Sequence, residues 1–278
     1  SLPRLDLELA VTSDGNCFHH GERASHLPHL HPIIFKLKTQ RHFGFVYDVQ
    51  PIDIPWEQKK NVADFRGALS GQYPMEVEQN IGDYSLHERC HILSRCWLAY
   101  QHGAKNSTLV DAKLSLPFVE SRSKWIARFL ALDDVDNDAA VDLYGEEISM
   151  ERLLQYKALI MMEGNDVSSG LKWALFSKSV VLMPEPSFTS WAMEEYLEPW
   201  VHYIPITLSS RTYTDSSGLT DVEEKMQWVI DNDSEARQIA QNGRLWIYDL
   251  LFHPDAKTDE LRIIDEIALR YGAHFAAT

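Results

Sequence analysis

Residues 156–183 read YKALIMMEGNDVSSGLKWALFSKSVVLM, and this stretch decides the fold. Ala158–Met162 is a short continuous apolar run of the kind a fully buried strand shows, and the turn-forming string Glu163-Gly164-Asn165-Asp166 follows it. Asp166 or Ser168 can then cap a helix whose apolar residues Leu171, Ala174 and Leu175 recur at three- and four-residue spacing. A second apolar run, Val180–Met183, closes a strand-helix-strand unit. Such a crossover is right-handed and belongs to a parallel sheet, so the pattern predicts an α/β protein.

The turn also suggests a chemistry. Backbone N–H groups at the start of a helix carry partial positive charge and can seat a phosphate. Ser168, Ser169 and Gly170 are small enough to let a diphosphate approach, Asp166 stands beside them, and Lys172 adds a charge one turn further on. Taken alone, the same string also reads as nothing more than a tight connection.

Outside this unit the composition sets limits. A net charge of −15 excludes broad binding to nucleic acid or to an anionic membrane, because both need clustered Lys and Arg. A small anionic substrate remains compatible if the basic residues are focused in one cleft. With 278 residues, 45% of them apolar, the chain can bury one large core or two modest ones. Cys17, Cys90 and Cys96 are too few and too scattered for a disulfide framework or a zinc site, and reduced thiols are expected. No run approaches the roughly 20 apolar residues that span a bilayer, and no basic-then-apolar leader opens the chain, so a soluble, cytoplasmic protein is expected.

Along the chain, Leu7–Val11 reads as a strand ending at Thr12-Ser13-Asp14-Gly15. Asp14 thus falls at a carboxyl strand end, where open α/β sheets place ligands, although an Asx-turn before Gly15 needs the same residue. His19, His20, His26, His29 and His31 lack the spacing of a metal site and read as a polar loop. Tyr47–Lys60, with Pro51 and Pro55, resembles a boundary between domains. A strand at Val62–Phe65 runs into the basic, glycine-containing turn Arg66–Gly71. One amphipathic helix is predicted over Ser85–Tyr100, carrying Arg89 and Arg95, then a strand around Thr108–Val110 that ends at Asp111. Phe118–Leu130 reads as a helix, and the acids of Asp133–Asp138 as a solvated loop rather than a divalent-cation site. Thr189–Tyr196 is expected to be helical and His202–Ile206 a strand. Helices follow over Asp221–Ile230 (with a capping-box pattern at Thr220 and Glu223), Ser234–Leu251 and Glu260–Tyr271.

Several of these strings together resemble glycosyltransferase family 90, which includes lipopolysaccharide-modifying enzymes, capsule xylosyltransferases and the protein O-glucosyltransferases of the Rumi type. The resemblance rests on Phe65-Arg66-Gly67 with Gly71, on Leu109-Val110-Asp111-Ala112, and on Glu163–Ser168 continued by Leu171-Lys172-Trp173. It extends through Pro199–Pro205 and the closing helices with Asn232-Asp233 and Asn242-Gly243.

The resemblance implies the type B glycosyltransferase fold: two Rossmann-like domains facing a cleft, the N-terminal half abbreviated to residues 1–58, a nucleotide-sugar domain at 59–252 and a terminal helix at 253–278. It implies transfer from a UDP-sugar donor, UDP-xylose slightly favoured over UDP-glucose, to a hydroxyl of a glycan or glycoprotein acceptor, with inversion and no required metal. Asp14 matches the catalytic base. Arg66, Gly67, Arg89, Asp111, Ala112, Asp166, Ser168, Ser169, Gly170 and Lys172 match the donor-binding positions. Where the O-glucosyltransferases carry an arginine two residues before the matching lysine, this chain has Gly170. Two other classes stay open: an inactive nucleotide- or glycan-binding module, and a glycoside hydrolase using a carboxylate pair such as Asp14 and Glu194.

Overall fold

A computed structural model describes residues 45–70, 84–103, 107–115, 143–146, 148–207 and 221–275. Asp14, the histidine-rich stretch, the helix expected at 118–130 and the acids at 133–138 lie outside the described residues. The chain divides into two compact units. One is Gln40–Tyr248; the other includes Asp249–Thr278.

The larger unit is built on six parallel strands: β1 (Lys60–Ala68), β2 (Val110–Ser115), β3 (Tyr144–Gly145), β4 (Tyr156–Ile160), β5 (Val180–Met183) and β6 (Ile204–Pro205). Their spatial order is β3-β2-β1-β4-β5-β6. The chain winds outward from β1 to β3, returns to the middle, and winds outward the other way from β4. This is the doubly wound Rossmann-like order, and its reversal falls between β1 and β4.

One face of the sheet is apolar throughout. Ala63 and Phe65 of β1 lie in register with Val110 and Ala112 of β2, and Ala158 of β4 pairs with Val180 of β5. They join one core with helices α1 to α4 of this face as follows. First come α1 (Leu86–Ile92) and α2 (Ser94–Gly103), which with Leu93 between them supply Leu86, Trp97 and Leu98. Then α3 (Val222–Asp231) and α4 (Asp233–Leu251) supply Val222, Met226, Val229, Ala236, Ile239 and Ala240 at helical spacing. Gly243 of α4 is required by close approach, since a Cβ there would meet the His202 carbonyl oxygen at 2.8 Å. The opposite face is apolar only on its β4–β5 side. There α5 (Leu171–Phe176) buries Leu171, Ala174 and Leu175, and α6 (Phe45–Ile52) buries Val46 and Val49.

Several expectations change. Residues 47–60 are no boundary: α6 and a 3-10 turn at Trp56–Gln58 belong to the unit that carries the sheet, with Pro51 accommodated in the last turn of the helix. The helix expected over 85–100 is two helices that break at Leu93, the first opened by a reciprocal capping box between Ser85 and Glu88. Cys90 and Cys96, expected as free thiols, are joined by a disulfide across that break. The cap of α5 is Gly170, with no side-chain hydrogen bond, rather than Asp166 or Ser168. Only Glu194–Tyr196 of the helix expected at 189–196 is helical, as a 3-10 turn. In the other unit, Ala256–Phe275 is a single helix containing the predicted 260–271.

On the β1–β2 side the second face carries charge. Arg66 Nη2 meets Asp111 Oδ2 at 2.8 Å, Arg66 Nη1 stands 2.9 Å from Asp64 Oδ1, and Tyr156 Oη donates to Asp111 Oδ2 at 3.4 Å. Asp64 is 1% exposed, and neither of its oxygens receives a well-aligned hydrogen bond despite the adjacent guanidinium. Burial therefore pushes its carboxyl up to about 7, with the Arg66 charge opposing and the Asp111 charge adding to the shift. A carboxyl whose folded pKa is raised stabilises the fold at low pH and loses that contribution as pH climbs through the folded value. Stability attributable to Asp64 should fall between about pH 4 and pH 7, by at most ~1.4 kcal/mol per pH unit. Asp64→Asn should flatten that slope in urea unfolding followed across this range; parallel wild-type and variant profiles would show that Asp64 is ionised throughout.

Candidate functional site

In a doubly wound sheet, ligands collect outside the carboxyl ends of the strands at the switch point. Here those ends are Ala68 to Ser70 after β1 and Met161 to Gly164 after β4. Arg95 of α2 reaches between them. Its Nη1 donates to the Ala68 carbonyl at 3.2 Å, its Nη2 to that of Met162 at 2.5 Å, and its Nε to that of Glu163 at 3.1 Å. Three of its five N–H groups are so used, and all three acceptors are neutral. Burial lowers the pKa of the guanidinium, and the Asp166 charge works the other way. Gly164 makes room for it, since a Cβ there would stand 3.2 Å from Nη2 and 2.5 Å from Ser70 Oγ, whereas a Cβ on Gly67 would meet the Phe65 ring at 2.8 Å.

The neighbouring loops are tied to the same edge by carboxylates. Glu163 accepts hydrogen bonds from the backbone of Ser187 and Phe188, at 3.0 and 2.9 Å, and from the Ser187 hydroxyl. Glu194 accepts from Ser190 N at 2.7 Å, from Ser190 Oγ, and from Lys172 Nζ at 2.5 Å. Sequence reading missed Glu163, and passed over Arg95 in favour of Arg89. Residues six apart on one continuous helix point about 120° away from each other, so only one could face the turn. The break at Leu93 is what sets the direction of Arg95.

The sequence-derived candidates fall into groups. Asp166, Ser168, Ser169 and Gly170 do lie in the turn after β4, where Gly164 N donates to the Asp166 carbonyl at 3.1 Å and Ser168 O receives Leu171 N at 3.1 Å. Gly67 lies in β1 near Arg95. Lys172 stands apart from the turn's surface: it is 1% exposed, and its amine is held by Glu194, itself 2% exposed. Arg66 and Asp111 are held by each other. Asp111 is the second residue of β2, not its last, so its place at a carboxyl strand end is corrected; the strand runs on to Ser115. Ala112 is fully buried in the core. Arg89 is 7% exposed and its Nε donates to the Tyr84 carbonyl at 2.7 Å. Asp14 lies outside the described residues. Among the described residues no group of three His, Cys, Asp or Glu could hold a metal ion, and no helix is long and apolar enough to cross a membrane.

A buried ion pair is costly to break from one side, because the remaining charge is left without a partner. Lys172→Met should therefore lose roughly 3–5 kcal/mol of unfolding free energy. Lys172→Met/Glu194→Gln should lose less than the single variant in the same denaturant titration. Unchanged stability in Lys172→Met would mean that the amine is free to serve a ligand.

Comparison with known proteins agrees with this architecture. Residues 77–256 match the family model described as Glycosyl transferase family 90. O-glucosyltransferase LpsA of Dichelobacter nodosus is 33% identical over 109 residues, covering 39% of this chain and 31% of the relative. Protein O-glucosyltransferase 3 of Rattus norvegicus is 31% identical over 117 residues, covering 42% of this chain and 21% of the relative. O-glucosyltransferase rumi of Drosophila pseudoobscura pseudoobscura is 27% identical over 204 residues, covering 73% and 39%. The chain thus spans well under half the length of these curated relatives. With five of the six strands and the turn after β4 inside the matched region, the chain belongs to glycosyltransferase family 90.

Proposed function

We propose that the chain transfers a sugar from a UDP-sugar to a hydroxyl of a glycan or protein acceptor, and that the donor diphosphate rests at the switch point between β1 and β4. Family membership carries the transferase reading. The seat is supported by Arg95, whose charge is set among carbonyl oxygens rather than a carboxylate and which keeps two N–H groups beyond its three carbonyl bonds. The backbone of Ser168, Ser169 and Gly170 borders the same turn, and their small size favours close approach of a phosphate. Lys172, closed off by Glu194, acts here by holding the loop before the 3-10 turn rather than by touching phosphate.

The reaction is a single displacement with inversion. Asp14 takes the proton from the acceptor hydroxyl as its oxygen attacks the anomeric carbon, and UDP departs from the opposite face. Negative charge grows on the leaving diphosphate, and a preorganised cation stabilises it without a metal ion. Glucose, the sugar named for the relatives, becomes the favoured donor over xylose. One hydroxymethyl group separates the two, and a pocket discriminates such a difference by about 1–3 kcal/mol.

Calorimetric titration with UDP and with uridine, followed by UDP-glucose and UDP-xylose turnover with and without EDTA, tests the reading. Wild-type protein should bind UDP more tightly than uridine. Arg95→Lys and Arg95→Met should each lose that preference by about tenfold or more, as removal of a charge-assisted bond does. Uridine affinity should hold; equal loss of both ligands would make Arg95 a purely structural clamp. Asp14→Asn should bind UDP normally and lose transfer almost completely. Absence of UDP binding by the wild type would sink the transferase seat itself.

A further inference from the structure

The amino ends of the strands, opposite the switch point, border a cleft of about 470 Å³ between the segment before β1, the segment before β5 and the outer side of α4. Its lining includes Lys178, Arg237, Gln241, Arg244 and Tyr248. In a chain of net charge −15, three cations around one cleft form a local reversal of sign. Glu57, also in the lining, is held by Arg237 at 2.6 Å, so the carboxylate is neutralised by one of the three.

The other two cations retain capacity. Lys178 Nζ donates to a neutral acceptor, the Asp53 carbonyl at 3.0 Å, while the Asp53 carboxylate is engaged by Lys178 N and by Lys59 Nζ, each at 2.6 Å. Arg244 has no hydrogen-bond or ion-pair partner among the described residues. Its guanidinium carbon lies 5.4 Å from the centroid of the Phe176 ring, a cation–π contact that uses none of its N–H groups. A fixed guanidinium edge is the geometry that recognises a planar or tetrahedral oxyanion through paired hydrogen bonds. In the same lining, Tyr248 is an aromatic residue 43% exposed, and the exposed Gln241 carries an amide with both donor and acceptor. A ring face with amide and cation nearby suits a sugar that carries the oxyanion.

We propose that this cleft is a binding site for an acidic saccharide, a sugar ring bearing a phosphate or carboxylate group, separate from the donor seat. β1 alone, nine residues long at about 3.3 Å per residue, sets the two ends of the sheet roughly 30 Å apart. The cleft is therefore an anchoring site on the acceptor or product side, beyond the reach of a single nucleotide-sugar at the switch point. It does not depend on which donor the switch point takes.

Titration at low ionic strength with glucose 6-phosphate, glucuronic acid, glucose and inorganic phosphate tests it, read by calorimetry on the whole chain. The two acidic sugars should bind, more weakly as salt is raised, and glucose should not. Arg244→Gln should weaken the acidic sugars by about tenfold or more while thermal midpoint and UDP affinity stay as in the wild type. Tyr248→Ala, at an exposed position, should weaken the acidic sugars but not inorganic phosphate. Wild-type protein that binds neither acidic sugar, or Arg244→Gln that binds them as well as the wild type, overturns the proposal. Inorganic phosphate binding as tightly as glucose 6-phosphate also overturns it, by reducing the cleft to a simple anion site.

Discussion

The guanidinium of Arg95 is the constraint on which the carboxyl edge of the sheet depends. β1 and β4 are neighbours in space but separated by some ninety residues of chain, and the pairing between them ends at Asp64 and Leu159. Buried carbonyls left without a donor would cost about 1–3 kcal/mol each. One planar side chain satisfies three, from Ala68, Met162 and Glu163. Fixing those carbonyls fixes the two turns that leave the strands. Gly164 follows from the same requirement, because any side chain there would collide with Ser70 and crowd the guanidinium.

The charged face over β1 and β2 obeys a different logic. Asp64 and Arg66 lie two residues apart and hence on one side of the strand, and Asp111 lies in register with Asp64 on the neighbouring strand. Burial lowers the pKa of Arg66, but the Asp111 and Asp64 carboxylates outweigh it and raise the net value. The network joins Arg66 to two carboxyls: Asp64, which burial pushes up to about 7, and Asp111, whose side chain is 37% exposed. Phe65-Arg66-Gly67 and the Asp111 string, read from sequence as ligand-facing, owe their pairing to a cross-brace between adjacent strands. The signal that two short strings belonged together was present in their residues; which surface they served was not, because strand direction and length decide it.

What was legible followed from local patterns. The strand-helix-strand unit at 156–183 stands where its apolar runs and turn residues place it, since runs as short as Val180–Met183, β-branched and bounded by turn residues, favour a buried strand over a helix. The register of Asp111 was not legible. The apolar run stops at Val110, yet the strand continues through Ser115 because alternate residues Ala112 and Leu114 face the core while Asp111 and Lys113 face the charged side. The break at Leu93 was equally hidden, because no Gly or Pro marks it between His91 and Cys96. Pro51, by contrast, carried a strong local signal that misled: it stands in the last turn of a short helix, which ends one residue later at Ile52.

One lysine and three arginines illustrate how the protein distributes positive charge against its acidic background. Lys172 and Glu194 face each other in the interior, and a compensated pair has little field beyond its own separation. Arg66 is likewise spent on Asp64 and Asp111. Arg95 and Arg244 differ from both, because carbonyl oxygens hold the first and an aromatic ring supports the second, and neither arrangement cancels a unit charge. The long-range attraction available to an anionic ligand therefore arises at opposite ends of the sheet. Arginine suits this task better than lysine. Its weaker hydration lowers the cost of burial, and its fork allows some N–H groups to be fixed by the protein while others face outward.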